Sequence, residues 1–279
     1  MSPIKSIIVH ADASPRSSVR LLVARQLADE HDAALTAVFA VTSSFLEYPS
    51  VLGADGEAAV LFREIDDDRR RRARSIFDEA ASGAGRPVSW VEISGGAAVP
   101  ALARCALHAD LLVMGQHDPD AGFASGTPAD LVESVLIASG RPSLIVPYVG
   151  EVHPVPRNVL VAWKSTRETA RALTSAIPLM RNAKEVHVTT FDEEEPAHSP
   201  GSNLEVGQYL KLHGIDAKLH RYGSAEGDVG ESLLSLTADL SSDLLVMGCY
   251  GHSRARELVL GGASRVVLRS MTVPTLMSH

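Results

Sequence analysis

The sequence is short of cysteine and of long apolar runs, and it carries no excess of positive charge. Its 2 cysteines, Cys105 and Cys249, cannot build the multiple disulfides that support small secreted domains. No apolar stretch approaches the roughly 20 residues that a membrane-spanning helix needs, and the N-terminal segment turns polar too soon for a signal peptide. The formal net charge of −8 gives no general attraction to nucleic acid or to anionic membranes. We therefore expect a cytoplasmic globular protein that binds neither nucleic acid nor a membrane.

Motifs of common enzyme sites are also missing from the chain. There is no P-loop GxxxxGK[ST], no GxSxG nucleophile elbow and no dinucleotide-binding GxGxxG. None of the 11 histidines stands in a helical HExxH pattern, so scattered surface and core histidines are the better interpretation. We therefore predict no metal site and no committed catalytic residue.

What the chain does contain is an internal repeat. The six residues DLLVMG occur at 110–115 and again at 243–248. Short β-branched runs open both halves, and a proline-led apolar run closes each of them, at 142–147 and at 274–277. Strand patterns alternate with helical patterns, and fully apolar strands are typical of a parallel sheet covered on both faces. We therefore predict an α/β fold of two tandem, open, mostly parallel five-stranded sheets with helices on both faces.

The repeat and a proline-rich segment set the expected domain boundaries. We predict one domain at 1–149, a linker at 150–156 and a second domain at 157–279. The charged run at 66–72 fits a solvated helix with i,i+4 ion pairs between aspartates and arginines. In the second half the expected strands are 158–162, 185–190, 216–221, 243–247 and 274–277, and the expected helices include 166–180 and 228–240.

The loop that follows the second DLLVMG run is rich in glycine. Gly248, Gly251, Gly261 and Gly262 lie where ligands bind in open α/β sheets, beyond the carboxyl ends of the strands. Glycines let backbone N–H groups approach a ligand, and a helix beginning after Gly262 would direct its free N–H groups there. Such amides can form an anion cradle suited to phosphates. Alternatively, the glycines only shape a strand–helix connection, and their spacing leaves both interpretations open.

The spacing Gly248-x2-Gly251-x9-Gly261 resembles the nucleotide signature of the universal stress protein family, G-x2-G-x9-G-[S/T]. The resemblance covers nearly the whole chain and implies an adenine-nucleotide alpha hydrolase-like fold. It also implies that ATP or a related adenine nucleotide, with or without Mg²⁺, binds in the second half. The four glycines would contact the phosphates, and the remaining implied site residues are His252, Ala263, Ser264, Ala162, Trp163, Lys164, Val188 and Thr189. Of these, Val188 or Thr189 would lie beside the base.

The sequence departs from the family pattern at two positions of the second half and more strongly in the first half. Gly262 stands where the family has Ser or Thr, and Lys164 stands where it has the first-strand Asp. The first half keeps this Asp as Asp12, but it has Asp118 in the place of Gly251 and, after nine intervening residues, Pro128, which has no N–H donor. We therefore predict one nucleotide per chain, held by the second half.

The resemblance implies a stress-response protein with a regulatory or partner-docking role, whose protein partner the sequence does not identify. Two alternatives stay open, namely an interaction module without nucleotide and a weak ATP hydrolase assisted by Lys164 or His252. Because family members pair through the last strand, we expect an internal pseudo-dimer of the two halves. A homodimer is also compatible with the resemblance.

Overall fold

The computed structural model describes residues 4–48, 56–82, 86–93, 96–120, 125–153, 155–191, 205–223, 227–249 and 262–279. The chain divides into two compact units, unit 1 at Met1–Arg141 and unit 2 at Pro142–His279. None of the helices in this described part is both long enough and apolar enough to cross a membrane.

Unit 1 contains parallel strands in the order β3-β2-β1-β4. All residues of β4 except its terminal glycine are fully buried, as expected for a strand covered on both faces. The strands are β1 (Ser6–Ala11), β2 (Ala34–Ala40), β3 (Val88–Ile93) and β4 (Leu111–Gly115). The helices are α1 (Ser17–His31), α2 (Ser44–Glu47), α3 (Gly56–Ala81), α4 (Ala98–Ala106) and α5 (Leu131–Ser139).

Unit 2 has the strand order β5-β10-β9-β6-β7-β8, with β5 antiparallel to β10 and the other pairs parallel. The predicted α/β class with a mostly parallel open sheet is therefore confirmed. The strands are β5 (Ser143–Val146), β6 (Asn158–Ala162), β7 (Glu185–Phe191), β8 (Ala217–Tyr222), β9 (Leu244–Gly248) and β10 (Thr275–Ser278). The helices are α6 (Arg167–Met180), α7 (Val206–Leu212), α8 (Val229–Asp239) and α9 (Ala263–Ser270).

Strand β5 does not group with the half of the sequence that contains it. Ile145 of β5 lies opposite Thr275 of β10, and this pairing places β5 in unit 2. In the part of the chain that the structure describes, unit 1 consequently holds four strands and unit 2 holds six, where the sequence analysis expects five in each half. The two proline-led strands do pair with each other, as expected.

The register between β1 and β4 in unit 1 is the same as that between β6 and β9 in unit 2. Ile7 lies opposite Leu111 in unit 1, and Val159 lies opposite Leu244 in unit 2. The offsets between these pairs, 152 and 133 residues, are those that separate the repeated segments in the sequence. The repeated apolar runs therefore perform the same task in each unit.

Capping residues fix where two helices of unit 2 begin. Thr166 precedes α6, and its hydroxyl accepts a hydrogen bond from the N–H of Thr169 at 3.3 Å. Asp228 precedes α8, and its carboxylate accepts from the N–H of Gly230 at 2.6 Å. Such caps stabilise a helix by about 1 kcal/mol each. The predicted helices at 166–180 and 228–240 are confirmed to within one residue at each end.

The charged run at 66–72 lies in α3, as predicted, but its ion pairs differ in part. Asp68 pairs with Arg72 at 2.7 Å in the expected i,i+4 spacing. Asp66 instead accepts hydrogen bonds from the backbone and hydroxyl of Ser44, because α2 packs against this side of α3. Arg69, beside it, is buried and pairs with Glu47 at 2.9 Å. One side of this helix is therefore internal rather than solvated.

Candidate functional site

The carboxyl ends of β6, β7 and β9 meet at one edge of unit 2. Ala162, the last residue of β6, lies opposite Thr189 of β7 and opposite Met247 of β9. The N–H of Trp163 then donates to the carbonyl of Thr189 at 2.8 Å, so the contact with β7 continues beyond the strand. Chain connections leave β6 in opposite directions here, which makes this edge the topological switch point where open α/β sheets bind ligands. We refer to this edge as the crevice of unit 2.

Thr189 offers a polar group at the floor of the crevice. The residue is 1% exposed, and no hydrogen-bond partner lies within reach of its hydroxyl oxygen among the residues that the structure describes. A buried hydroxyl without a partner costs about 1–3 kcal/mol. Its neighbours across the sheet are the small Ala162 on β6 and His220 on β8, and the adjacent Val188 is also buried. A polar ligand that reached this hydroxyl would therefore supply the missing hydrogen bond and remove this free-energy penalty.

Gly248 is required by packing, whatever binds beyond it. A Cβ at this position would lie 2.5 Å from the backbone nitrogen of Thr169, 2.7 Å from the Thr169 hydroxyl and 2.8 Å from the Glu168 carbonyl carbon. Real Cβ atoms do not approach other heavy atoms this closely, so only glycine lets the first turn of α6 sit against β9. Of the two interpretations left open by the glycine spacing, helix–strand packing accounts for this residue.

The N-terminus of α9 lies at the same edge as the carboxyl end of β9, because the chain passes from β9 through α9 into the parallel strand β10. Gly262 precedes the helix in an extended conformation, and its carbonyl accepts from the N–H of Arg265 at 2.9 Å. Ala263 and Ser264 follow in the first turn, where backbone N–H groups have no acceptor within the helix. Gly262 has a φ of −64°, which any residue can adopt, so its conformation does not demand glycine.

Three of the predicted site residues, Gly251, His252 and Gly261, lie outside the described residues. Their expected phosphate contacts stay predictions. The structure brings together Ala162, Trp163, Val188, Thr189 and Gly248 through the strand pairings and the hydrogen bond given above.

Lys164 lies on the rim of the crevice, at the position of the family's Asp. Its side chain is exposed, and its carbonyl accepts from the N–H of Thr166 at 2.6 Å in the turn before α6. Glu168, in contrast, is 3% exposed and lies 2.5 Å from Nε of Arg167. Burial opposes its charge, but the hydrogen bond from Arg167 and its other hydrogen bonds outweigh burial and hold the pKa of Glu168 below its usual range. The turn before α6 and its first residues therefore combine an exposed lysine with a buried carboxylate.

The equivalent edge of unit 1 contains a buried ion pair that the sequence analysis missed. Nη2 of Arg20 lies 2.7 Å from a carboxylate oxygen of Asp12, and both side chains are almost fully buried. Burial opposes the charge of Asp12, but Arg20 outweighs it, aided by His10 and Ser14, and lowers the pKa of Asp12. A cationic residue at an otherwise apolar position of a helix is the sequence signal for such a pair.

A histidine pair near Thr189 was also missed. Nδ1 of His187 on β7 lies 2.9 Å from Nε2 of His220 on β8, and Nε2 of His187 lies 3.3 Å from the Glu185 carboxylate. Burial, together with the charge of His220, lowers the pKa of His187 below its ordinary value. The residues share a face because side chains alternate along a strand, and this period could have identified them. Within the described ranges, no group of three or more His, Cys, Asp or Glu residues could hold a metal ion.

Comparisons with known proteins agree with this architecture. The model of the universal stress protein family matches residues 156–279. Universal stress protein Slr1230 from Synechocystis sp. is 26% identical over 171 residues, which span 60% of this chain and 57% of that protein. A universal stress protein from Archaeoglobus fulgidus superposes with a TM-score of 0.69 at 18% identity, covering 97% of this chain and 94% of its own. The functionally unknown protein PA1789 from Pseudomonas aeruginosa gives a TM-score of 0.54 at 17% identity, covering 98% and 92%. At these identities the structural likenesses concern the fold alone.

Proposed function

Because residues 156–279 match the model of the universal stress protein family, we propose that unit 2 binds ATP or a related adenine nucleotide in its crevice. The base lies beside Val188 and Thr189, and the phosphates lie beside the glycine loop and the N-terminus of α9. The protein then acts in a stress response in the cytoplasm through regulation or docking of a protein partner, without committed chemistry. Mg²⁺ accompanies the phosphates in this proposal, as it commonly does for nucleoside triphosphates.

One observation carries the proposal, namely the buried hydroxyl of Thr189 without a partner at the switch point of the sheet. A polar ligand supplies the hydrogen bond that the surrounding described residues do not provide. The first turn of α9 adds N–H groups and the positive end of a helix dipole, which favour an anion at the same edge. A ligand with a polar base and an anionic tail satisfies both features.

Lys164 takes part in the proposal as a phosphate contact. An ammonium group on a flexible four-carbon stem can reach an anion at the rim, whereas the Asp of the family pattern would contact the ribose and adenine instead. With Lys164 in place of Asp, recognition of the nucleotide therefore depends less on the sugar and more on the phosphates. We accordingly expect affinity to depend on phosphate number more strongly than on the ribose hydroxyls.

We further propose that unit 1 is a second copy of the family domain that serves a structural or regulatory role. The common strand register of the two units supports a shared origin. The pairing of β5, from the first half of the sequence, with β10, from the second half, supports the proposal that the two halves associate through their last strands, and homodimer formation remains part of the same proposal.

A second candidate function is an interaction module that does not bind nucleotide. The packing of Gly248 against Thr169 favours it, because this glycine needs no ligand to account for it. Enzymatic activity has less support. Lys164 and His252 are the assistants that the sequence analysis names, so slow ATP hydrolysis is the most we propose.

Mass spectrometry of small molecules released on denaturing the purified protein separates the two candidates. We expect an adenine nucleotide near one equivalent per chain. Titration calorimetry of ligand-free protein with ATP, AMP and adenosine, each with and without Mg²⁺, then ranks the phosphate contribution. Absence of both a released nucleotide and any binding heat would favour the interaction module.

A further inference from the structure

We propose that the edge of unit 1 that corresponds to the crevice is a cation site whose permanent occupant is the guanidinium group of Arg20. Unit 1 is then closed to nucleotide by a group of its own chain, in addition to the loop differences at Asp118 and Pro128. The Arg20–Asp12 pairing does not depend on the proposed function; only its role, which is to explain why unit 2 alone binds nucleotide, rests on that function. Its first test, chemical rescue, requires no nucleotide.

The Arg20 side chain contacts two residues of unit 1 that match the family pattern, Asp12 and Gly115. Nη2 of Arg20 lies 2.7 Å from Oδ1 of Asp12, and Nε donates to the carbonyl of His10 at 3.3 Å. The same side chain lies against Gly115, where a Cβ would collide with Nη1 and come within 3.0 Å of Cδ. Arg20 is 4% exposed and Asp12 is 3% exposed, so the pair has almost no contact with solvent. The Asp that the family pattern reserves for a ligand therefore already has a partner.

Unit 2 lacks both members of this pair. The offset of 152 residues that relates β1 to β6 places Lys164 at the position of Asp12 and Ala172 at the position of Arg20. Ala172 is fully buried and carries no charge. Gly248, the counterpart of Gly115, contacts the first turn of α6, namely its backbone and the hydroxyl of Thr169, and, among its nearest described neighbours, no charged side chain. The two units therefore fill the space beside the same strand end in different ways, one with a guanidinium group and one with the helix itself.

The surroundings of the Arg20–Asp12 pair leave it neutral overall and buried. His10 lies 3.9 Å from Asp12, and burial lowers the pKa of its imidazole, which leaves the carboxylate to Arg20. Asp118 accepts a hydrogen bond from the N–H of Asp120 at 2.9 Å and adds its carboxylate charge to the loop after β4. The charge of Arg16 interacts with both Arg20 and Asp118. An incoming phosphate consequently meets an arginine already neutralised by Asp12, and a carboxylate, Asp118, whose charge is partly offset by Arg16.

Chemical rescue of Arg20→Ala in the full-length chain tests the proposal. Removal of one partner leaves a buried uncompensated carboxylate, so we expect the unfolding equilibrium constant to rise on the order of 10²–10³-fold. Methylguanidinium at tens of millimolar should raise the thermal midpoint of this variant saturably and leave the wild type unchanged. Methylammonium at the same concentration controls for ionic strength. The variant Asp12→Asn/Arg20→Ala removes the carboxylate and should not respond to methylguanidinium. Absence of saturable rescue in Arg20→Ala, or equal rescue in the double variant, overturns the proposal.

A measurement on the wild type covers the case in which Arg20→Ala does not fold. The Nε–H of Arg20, assigned by its disappearance in Arg20→Lys, should give a slowly exchanging NMR signal. Added ATP should leave this signal in place while it shifts resonances of unit 2. A rapidly exchanging Nε–H, or a shift of this signal on adding ATP, overturns the closed site. Unchanged spectra in both units would instead count against nucleotide binding by unit 2 and leave the Arg20 result standing.

Discussion

The substitution Gly248→Ala separates a packing role of the signature glycine from a ligand role. The added methyl group would meet three atoms of the first turn of α6 at 2.5–2.8 Å, and two of them belong to the backbone. Backbone cannot turn aside as a flexible side chain can, so α6 must shift or β9 must bend. Overpacking of a tight site costs about 1–3 kcal/mol, and the backbone contacts argue for roughly 2–3 kcal/mol here. The loss should appear without any nucleotide present.

Urea unfolding followed by the fluorescence of Trp163 measures this loss in unit 2. The chain has 2 tryptophans, and Trp90 belongs to unit 1, so both variants are compared in a Trp90→Phe background. The transition midpoint should fall at unchanged slope, and the melting temperature should drop by about 2–4 °C per kcal/mol.

Gly223→Ala is the matched control for this substitution. A Cβ added at Gly223 would have no heavy atom within 4 Å, so the control should be neutral or stabilise by up to about 1 kcal/mol. Equal midpoints for Gly248→Ala and Gly223→Ala would refute the packing argument.

Four further outcomes are expected. Lys164→Ala should weaken ATP binding and flatten its salt dependence while leaving adenosine binding unchanged, because an ion pair at the rim is screened by salt; identical calorimetric affinities at low and high salt would reject the contact. Gly251→Asp should abolish the one binding event per chain by blocking the phosphates, whereas Asp118→Gly should not create a second one, and two sites in the wild type would place the ligand in the wrong unit. The pKa of His187 is lowered in the folded state, so its contribution to stability is present above the ordinary pKa of 6.5 and is lost as the pH falls below that value toward the lower pKa of the folded protein. His187→Gln should therefore reduce the slope of the unfolding free energy against pH, between pH 7 and 5, by up to about 1.4 kcal/mol per pH unit. An unchanged slope would show that the imidazole gains its proton freely when the protein is folded. A fragment of residues 157–279 lacks β5 and should self-associate through the open edge of β10, while 142–279 retains the pairing; a strictly monomeric shorter fragment in sedimentation would contradict this expectation.

The positions of the inner strands β6 and β9 were predictable because each is a short apolar run that is buried in a parallel sheet. Leu244–Gly248 begins one residue after the run expected from the sequence and ends one residue beyond it, and Asn158–Ala162 agrees at both ends. The unit to which β5 belongs was harder to predict. Its place in the sequence puts it in the first half, whereas its pairing with β10 places it in unit 2.

The site was predictable where a backbone feature carries it and was missed where side chains meet across elements. Thr189 falls at the expected level because strand register follows from the repeat. The pairing of Arg20 with Asp12 depends on how far α1 stands from β1, and the contact of His187 with His220 depends on the rotamers of two strands. Neither quantity is encoded in a motif or a spacing.

The close contact of α6 with Gly248 and of Arg20 with Gly115 has a consequence for how such chains diverge. A glycine against which neighbouring atoms pack closely can be replaced only if those neighbours change as well. Selection for folding therefore preserves such a glycine even where no ligand binds. The glycine that ends β4 or β9 can therefore be retained without ligand binding, and we expect Gly115 to be such a case because we predict no phosphate site in the loop of unit 1. Loss of function in a duplicated domain should therefore be recorded first in the loop residues beyond that glycine and last in the glycine itself.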